Sequence, residues 1–426
     1  MARAVIVGGA RTPFVRAFEQ YIELDTIALG AAAVRGALER TGVPWDEVQS
    51  IVWGGVILPS TAPNVGREIG LDLGLPRTLE AMTVTRACAS GLQAVTLAAA
   101  AIERGECDVA IAGGSDSTSN AELKLPQSLV HKLAPVALSK KSGPRDYLRA
   151  LGTISVRQDL VPRQPKIAER TTGQLMGEAA EEMAERNGIG RIEQDEFTVR
   201  SHRRAAEAIR SGRFDREVVP VRNPGGETVY TDTIVRGDTT VDKIGKLKPA
   251  FAKNGTLTAA NSSALTDGGA AVVLMSEDKA KALGIRPLAA FRSWAYVGVD
   301  PADQLLMGPA LAMPLALQRA GMTLADIDLV DMHEAFAAQV LAIVKMLGSS
   351  AFAKARLGRD AAVGEVDPEK LNVHGGSVAL GHPFGATGAR MALTMAHELA
   401  STSRKTALLG ICAAGGLGAA AVLEAV

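Results

Sequence analysis

The chain contains one series of secondary-structure signals twice, and this internal repeat limits its possible folds more than any other feature. Residues 37–43 align with residues 316–322, and in both copies an acidic turn and an apolar strand follow. Residues 88–91 and the helix-forming run after them align with 382–385 and its own helix-forming run. Repeats of this kind indicate repeated structural units. The sequence therefore predicts two similar halves whose corresponding loops can converge.

Each copy alternates runs of strand length with longer helix-forming runs. In the first copy we predict strands at 3–8, 47–56 and 108–114, and a helix from Thr26 to Thr41 that ends at Gly42. Such alternation is typical of a layered α/β sheet. The 44 glycines and the low aromatic content, 4%, also favour many tight strand-to-helix turns over a β-sandwich.

The first copy is interrupted. Its last strand is found only at 269–274, which aligns with 418–423 at the end of the second copy. The predicted division of the chain is an N-terminal half of residues 1–121 and 251–284, an inserted loop domain of residues 122–250, and a C-terminal half of residues 285–426.

The inserted domain differs in composition from both halves. Prolines are spaced through loop-like sequence, and two amphipathic helices are predicted at about 173–187 and 193–211. The section from Lys132 to Arg170 holds nine Lys or Arg and three acidic residues. Taken alone, this section is interpreted as a solvated surface loop. Contact with the phosphates of a ligand is one alternative, and contact with a membrane surface is a weaker one.

Length, charge and cysteine content restrict the class of protein. A chain of 426 residues suggests two or three domains. Lys plus Arg and Asp plus Glu are each 46, so nothing indicates a nucleic-acid partner. Three cysteines in so long a chain argue against a disulfide framework. No signal peptide or membrane-spanning run is recognised, so we expect a cytoplasmic protein.

Cys88 lies where a short β-branched run ends and an alanine-rich helix begins. Unpaired N–H groups and the dipole at a helix N-terminus favour an anion, so we expect the Cys88 thiolate to be stabilised. The small residues Ala89, Ser90 and Gly91 leave room for a substrate. A buried structural cysteine is the alternative.

The second copy supplies the other candidate groups at the ends of its strands and helices. They are His333 and Glu334, His382 in a glycine-rich loop that opens a helix, and Cys412 before a run of glycines. The repeat predicts that Cys88 and His382 occupy corresponding positions in the two halves. His374 and His397 we interpret as structural.

These residues resemble the thiolase family, and the likeness covers essentially the whole chain. The motifs that carry it are 88–91, Asn261 to Gly268, 333–336, 381–383 and Cys412 with its glycines. The resemblance implies a duplicated α-β-α-β-α five-layered fold with an inserted loop domain. Thiolases usually have asparagine where His333 stands, and a histidine there is similar to the thiolase subunit of the fatty-acid oxidation (trifunctional) complex.

The resemblance implies an acetyl-CoA C-acyltransferase that cleaves 3-ketoacyl-CoA with coenzyme A through an acyl-cysteine intermediate. Cys88 would be the nucleophile, His382 its base and Cys412 the second acid and base. Coenzyme A would be a substrate, and neither a resident cofactor nor a metal is expected.

Further roles follow from the same resemblance. His333 and His382 would stabilise the thioester oxyanion of the acetyl unit. The backbone N–H groups of Cys88 and Ala414 would stabilise the tetrahedral intermediate. Glu334 would orient a catalytic histidine, and Ser263 would bind the pantetheine of CoA.

Two other functions are also consistent with the sequence. One is an acetoacetyl-CoA thiolase working in the biosynthetic, condensing direction. The other is mainly a complex-forming or membrane-docking subunit. The expected assembly is at least a homodimer, with a hydratase/dehydrogenase α subunit as the candidate protein partner and the inserted domain as the candidate membrane contact.

Overall fold

The computed structural model describes residues 2–162 and 168–426. These residues form two compact units. The larger unit consists of residues 2–120 and 168–426, and the smaller unit is described over residues 121–162. Arg163 and Lys166 of the predicted basic section lie outside the described residues, as does Pro165.

The strands and the helices are numbered in chain order. The strands are β1 (Ala4–Arg11), β2 (Val15–Arg16), β3 (Ser50–Gly54), β4 (Glu80–Val84), β5 (Val109–Asp116), β6 (Val221–Arg222), β7 (Thr228–Val229), β8 (Thr266–Ser276), β9 (Ala289–Gly298), β10 (Leu329–Met332), β11 (Thr406–Ala413) and β12 (Leu417–Ala425). The α-helices are α1 (Thr26–Thr41), α2 (Val65–Asp72), α3 (Ser90–Glu103), α4 (Gln127–Ala137), α5 (Pro144–Leu151), α6 (Met176–Asn187), α7 (Arg191–Arg210), α8 (Val241–Ile244), α9 (Glu277–Ala282), α10 (Pro309–Ala320), α11 (Ala337–Leu347), α12 (Ser350–Phe352), α13 (Ser377–Leu380) and α14 (Phe384–Ser401).

The order of strands in the main sheet confirms the duplication. The order is β10-β11-β12-β9-β1-β8-β5-β3-β4, and β1 joins β9 by a short antiparallel pairing. In the first half, β1 pairs with the antiparallel strand β8, and the parallel strands β5 and β3 lie beyond it. In the second half, β9 pairs with the antiparallel strand β12, and the parallel strands β11 and β10 lie beyond it. Leu371, which pairs with β10, takes the edge position that β4 has in the first half.

Three apolar cores separate five layers. One core lies between α1, α2 and the first half of the sheet, and another lies between α10, α11 and the second half. The central core encloses α3 and α14 and contacts both halves of the sheet. The predicted five-layered α-β-α-β-α fold is therefore confirmed.

Sequence signals explain where individual helices begin and end. Asp25 caps α1 by accepting a hydrogen bond from the backbone N–H of Ala28, at 2.8 Å. Gly42 ends the same helix in the left-handed conformation, with φ of 69°. The predicted helix from Thr26 to Thr41 is thus confirmed at both ends.

Helices α3 and α14 pack so closely that glycine is required at their contact. A Cβ atom on Gly91 would lie 2.2 Å from the carbonyl oxygen of Gly385. A Cβ atom on Gly388 would lie 2.4 Å from the backbone nitrogen of Leu92. This close approach holds the N-termini of the two helices, and the residues that precede them, next to each other.

The segment predicted to be loop-like in the first part of the insertion forms helices, so that prediction is wrong for residues 127–137 and 144–151. Pro144 is the first residue of α5, where the N–H that proline lacks would have no partner within the helix. The two amphipathic helices predicted next are confirmed as α6 and α7. The predicted domain boundaries stay a prediction; residues 168–250 belong to the larger compact unit. In the described part of the chain, no helix is long and apolar enough to span a bilayer.

Candidate active site

Cys88 lies two residues before α3, at the end of the turn that follows β4. Ala87 next to it has φ of 45°, a conformation that side chains rarely adopt, and this places the cysteine at an abrupt turn. The Ser90 hydroxyl stabilises the turn: it donates to the carbonyl of Ala87 at 2.6 Å and accepts from the N–H of Arg86 at 2.8 Å. The thiol therefore has a fixed position.

The pKa of the Cys88 thiol is raised to about 12, chiefly because the sulfur is buried. The backbone N–H groups of Ala414 and of Cys88 itself donate to the sulfur and lower the pKa, while the nearby carboxylate of Asp116 raises it. The expectation of a stabilised thiolate was therefore wrong, because burial outweighs the N–H donors. The resting thiol is neutral and needs a base.

His382 supplies a ring nitrogen suited to that role. Its backbone N–H donates to the Thr266 hydroxyl at 2.8 Å, and its Nδ1 atom contacts the Thr387 hydroxyl at 2.6 Å. Its Nε2 atom is buried without a partner among the described residues. Burial, followed by the positive charge of Arg390, lowers the pKa of His382 to about 3, so the imidazole is neutral.

His333 lies beside His382, and the two ring centroids are 4.0 Å apart. The Nδ1 atom of His333 contacts the Ser377 hydroxyl at 2.9 Å, and its Nε2 atom is buried without a partner in the described chain. Burial lowers the pKa of His333 well below its ordinary value, and His382 and Arg390 lower it further. The Cys88 sulfur and one nitrogen from each of the two rings lie within 4.8 Å of one another. The repeat thus brings together the groups that it predicted would meet.

Glu334 stabilises the segments around the site. Among the described residues it forms no hydrogen bond with His333 or His382. Its carboxylate accepts from Asn372 Nδ2 at 2.7 Å, from the Ser201 hydroxyl at 2.7 Å and from the Val378 N–H at 3.1 Å. Glu334 thus holds Val378 directly, and it holds Gly376 through the Ser201 hydroxyl, which accepts from the Gly376 N–H at 3.0 Å. These two residues flank Ser377, whose hydroxyl contacts His333. Any orienting effect of Glu334 on a histidine is therefore indirect.

Cys412 is buried near the end of β11, one strand residue before the turn into β12. Its pKa is raised well above the ordinary value by burial and by the nearby Cys88 thiol, because two thiolates so close together would repel each other. Gly415 and Gly416 both have positive φ, at 84° and 67°, and they form the turn that follows. Ala414, just before these glycines, does not have a positive φ. An alanine therefore fits this position without strain and presents its backbone N–H as a glycine would.

Ser263 belongs to a segment that passes along the same site. Its N–H donates to the carbonyl of Ala335 at 2.9 Å, and the N–H of Ala337 donates to the carbonyl of Asn261 at 2.9 Å. Leu265 then forms a parallel bridge with His382. The half-buried Ser263 is thus held next to the segment that carries His333. The residues interpreted as structural lie elsewhere; His374, for example, contacts Glu398 at 2.7 Å.

Comparison with known proteins decides the family. The model of the thiolase N-terminal domain matches residues 4–278, and the model of the thiolase C-terminal domain matches residues 285–425. The chain belongs to the thiolase family. A 3-ketoacyl-CoA thiolase of Yersinia pestis (strain Pestoides F) is 46% identical over 424 residues, which cover 99% of this chain and 97% of that protein.

Solved thiolase structures have the same fold. A Bacillus anthracis acetyl-CoA acetyltransferase is 33% identical, with a TM-score of 0.83, and the match covers 100% of this chain and 99% of that one. Human mitochondrial 3-ketoacyl-CoA thiolase in complex with CoA is 29% identical, with a TM-score of 0.84, over 100% and 98% of the two chains.

Several residues around this thiolase site were missed by sequence reasoning. Asp116, at the end of β5, accepts from the Ile57 N–H at 2.5 Å and from the Gly385 N–H at 2.6 Å, and so ties the turn after β3 to the start of α14. Glu169 accepts a hydrogen bond from the N–H of Gly415. An acid that ends a buried, glycine-rich strand was a usable signal for Asp116. Nothing in the local sequence indicates Glu169, because its partner is distant in the chain.

Proposed function

We propose that the chain is a 3-ketoacyl-CoA thiolase, an acetyl-CoA C-acyltransferase that cleaves 3-ketoacyl-CoA with CoA to acetyl-CoA and a shortened acyl-CoA in fatty-acid β-oxidation. One observation carries the proposal: Cys88 lies in a single cluster with His333 and His382, within 4.8 Å, in a chain of the thiolase family. A nucleophile next to a base whose free nitrogen has no other partner is the arrangement that covalent acyl transfer requires.

Acyl transfer to the enzyme begins with the neutral thiol. Nε2 of His382 takes the proton of Cys88, and the thiolate attacks the 3-keto carbon of the substrate. The bond between C2 and C3 then breaks, which leaves the acyl group on Cys88 and the enolate of acetyl-CoA. Cys412, neutral because of its raised pKa, gives its proton to C2 of the enolate.

The second half returns every group to its first state. Cys412, now a thiolate, takes the proton of the incoming CoA thiol, and the CoA sulfur attacks the acyl-cysteine. When the tetrahedral intermediate collapses, the imidazolium of His382 returns its proton to the leaving Cys88 sulfur. Two acid–base groups are needed because protons move at two centres.

Two sets of hydrogen-bond donors support the developing negative charges. The N–H groups of Ala414 and Cys88 already donate to the Cys88 sulfur. They therefore lie close to the oxyanion that forms on the acyl carbon bonded to this sulfur. The Nε2 atoms of His333 and His382 have no partner among the described residues. Nε2–H of the His382 imidazolium, and Nε2–H of His333 in the tautomer whose Nδ1 accepts from the Ser377 hydroxyl, are suited to donate to the thioester oxygen of the acetyl unit. Removing one such donor typically costs about 3 kcal/mol of transition-state stabilisation. Ser263, beside the His333 segment, is suited to the pantetheine.

The acyl-cysteine provides the direct test. Incubation of the reduced protein with 3-ketooctanoyl-CoA, without free CoA, should add one hexanoyl group per chain, located on Cys88 by peptide mass spectrometry. Cys88→Ser should lose the adduct and turnover while keeping its thermal unfolding temperature. Cys107→Ser, a change at a half-buried cysteine outside the cluster, is the matched control. Wild-type turnover by Cys88→Ser would refute the assigned nucleophile.

The second candidate, an acetoacetyl-CoA thiolase of the condensing direction, is favoured by the 33% identity to an acetyl-CoA acetyltransferase. Thiolysis rates on a ladder of 3-ketoacyl-CoA chain lengths separate the two. Rates that rise beyond the four-carbon substrate support the favoured function. Activity confined to acetoacetyl-CoA would replace it with the second.

We further propose that the chain forms a homodimer that binds a hydratase/dehydrogenase subunit through the smaller compact unit. That unit exposes apolar side chains, among them Leu138, Leu148 and Val156, which are 83%, 69% and 72% exposed. Pull-down from the source cells with wild type and Leu148→Asp should recover the subunit with wild type only. Recovery of membrane lipid without that subunit would support contact with a membrane in its place.

A further inference from the structure

The cluster of Cys88, His333 and His382 offers one soft sulfur ligand and two imidazole nitrogens, within 4.8 Å of one another. Zn²⁺ binds these atom types at about 2.3 Å for sulfur and about 2.1 Å for nitrogen, so ligands on one tetrahedral ion lie roughly 3.5 Å apart. Side-chain shifts of about 1 Å would bring the three atoms to that spacing. His333 completes the set, because without its imidazole only one sulfur and one nitrogen would remain.

The two rings are held as metal-bound histidines are held. In each ring Nδ1 contacts a hydroxyl group, Thr387 for His382 and Ser377 for His333, at 2.6 and 2.9 Å. A hydroxyl that accepts from Nδ1–H leaves the Nε2 lone pair free, and second-sphere partners of this kind orient most metal-binding histidines. Neither Nε2 atom has a partner among the described residues, and His382 is 5% exposed and His333 0% exposed.

The charges around the cluster do not oppose a cation strongly. Arg390 is the positive charge that acts on both rings, and it forms an ion pair with Asp331 at 3.4 Å. On the other side, the carboxylate of Asp116 interacts with Cys88. One carboxylate, and one thiol that becomes a thiolate when a metal displaces its proton, therefore stand near the position that a divalent cation would take.

We propose that Cys88, His333 and His382 bind one Zn²⁺ ion, and that this binding reversibly switches off the nucleophile. The Zn–S bond forms as the Cys88 thiol releases its proton to solvent, and no electron is transferred. The fourth position is open to water, as in zinc sites with three protein ligands. The ion occupies the sulfur lone pair and both Nε2 atoms, so acylation stops. Inhibition rests on the function proposed above, whereas binding does not.

Binding is tested on the reduced, chelator-treated full chain by calorimetric titration with Zn²⁺. We expect one ion per chain and the release of about one proton, read from titrations in buffers of different ionisation enthalpy. Co²⁺ as a probe should give a thiolate-to-metal charge-transfer band. Cys88→Ala should lose the band, and His333→Asn should bind at least about tenfold more weakly. Cys107→Ser is the control and should bind as wild type does.

A further variant addresses the possibility that Cys88→Ala or His333→Asn loses metal binding because the protein misfolds. Thr387→Val keeps all three ligands and removes only the hydroxyl that orients His382, so its affinity should fall by about tenfold or more. Stoichiometric binding that survives in Cys88→Ala, or equal affinity in His333→Asn, would overturn the site, as would no stoichiometric binding by wild type. Thiolysis should be lost with bound Zn²⁺ and restored by EDTA in wild type and Cys107→Ser. Zinc bound at full occupancy without loss of acylation would overturn the switch while leaving the site.

Discussion

At the residue scale, the site consists of ionisable groups that burial keeps uncharged. Both thiols have raised pKa values, and both imidazoles have lowered ones. No stable ion pair of thiolate and imidazolium is present at rest, so charge develops only when a substrate carbonyl and the N–H donors are there to receive it. Each neutral thiol can then give a proton, and the neutral imidazole of His382 can take one.

The first prediction concerns Cys412. Cys412→Ser replaces the thiol by a weaker acid, so protonation of the enolate and deprotonation of CoA should slow strongly, by about 100-fold or more. Formation of the acyl-cysteine on Cys88 should persist. Mass spectrometry of a single turnover measures formation of the acyl-cysteine, and steady-state thiolysis measures the complete reaction. Comparing the two separates the steps. Unchanged steady-state cleavage would remove Cys412 from the mechanism.

The second prediction concerns pH. Because the pKa of His382 is lowered to about 3, the imidazole is unprotonated, and available as a base, throughout the range from pH 5 to 8. The single-turnover acylation rate at low substrate should therefore change little across that range. A fall in this rate with a midpoint near pH 6.5, the ordinary value for histidine, would show that His382 is protonated more easily than its burial implies.

At the element scale, the site depends on two helices, one from each half, that meet through glycines. Cys88 precedes α3, His382 precedes α14, and the contacts of Gly91 and Gly388 set the separation of the two helices. A larger side chain at either glycine would move a nucleophile away from its base. Packing and catalysis therefore share the same residues.

Gly388→Ala tests this contact, because its effect on the free energy of unfolding should have the opposite sign to the usual one. In the interior of a helix this change usually stabilises by about 1 kcal/mol. Here the new Cβ would lie 2.4 Å from a backbone nitrogen, so we expect a loss of about 1–3 kcal/mol in the free energy of unfolding and a larger loss of acylation rate. Urea unfolding gives the first quantity.

The matched control is Gly298→Ala, where no atom lies within 4 Å of the added Cβ. Its free energy of unfolding should change by no more than about 0.5 kcal/mol. A stabilised, fully active Gly388→Ala protein would contradict the contact.

At the scale of the whole molecule, burial of histidines links stability to pH. His202 on α7 accepts a hydrogen bond at Nδ1 from the backbone N–H of Arg236, at 3.1 Å. Burial, and then the charge of Arg236, lowers its pKa to about 4. Burial likewise lowers the pKa of His397 to about 4. Because the unfolded chain binds these protons first, this stability is present above pH 6.5 and is lost as the pH falls towards 4.

The variant His202→Asn keeps an acceptor near the Nδ1 position and removes the titration. Between pH 7 and 5, its free energy of unfolding should fall by about 2 kcal/mol less than that of wild type. Urea unfolding at both pH values measures this difference. Cys107→Ser leaves every histidine in place and should keep the pH dependence of wild type between pH 7 and 5. If the free energy of unfolding of His202→Asn changed with pH as steeply as that of wild type, His202 would not be the group whose protonation destabilises the fold.

The sequence by itself determined the duplication, the α/β layering, the bounds of helices such as α1, and the places of Cys88, His333, His382 and Cys412 at the ends of elements. These follow from local periodicity, from capping residues and from the internal repeat, each of which can be read directly from the sequence. Only the tertiary structure decided the ionisation of the Cys88 thiol, the partners of Glu334, and the roles of Asp116, Thr387 and Glu169. Burial and long-range hydrogen bonds depend on residues far apart in the chain, so a local pattern can mark a position such as Asp116 but gives neither its ionisation nor its partners.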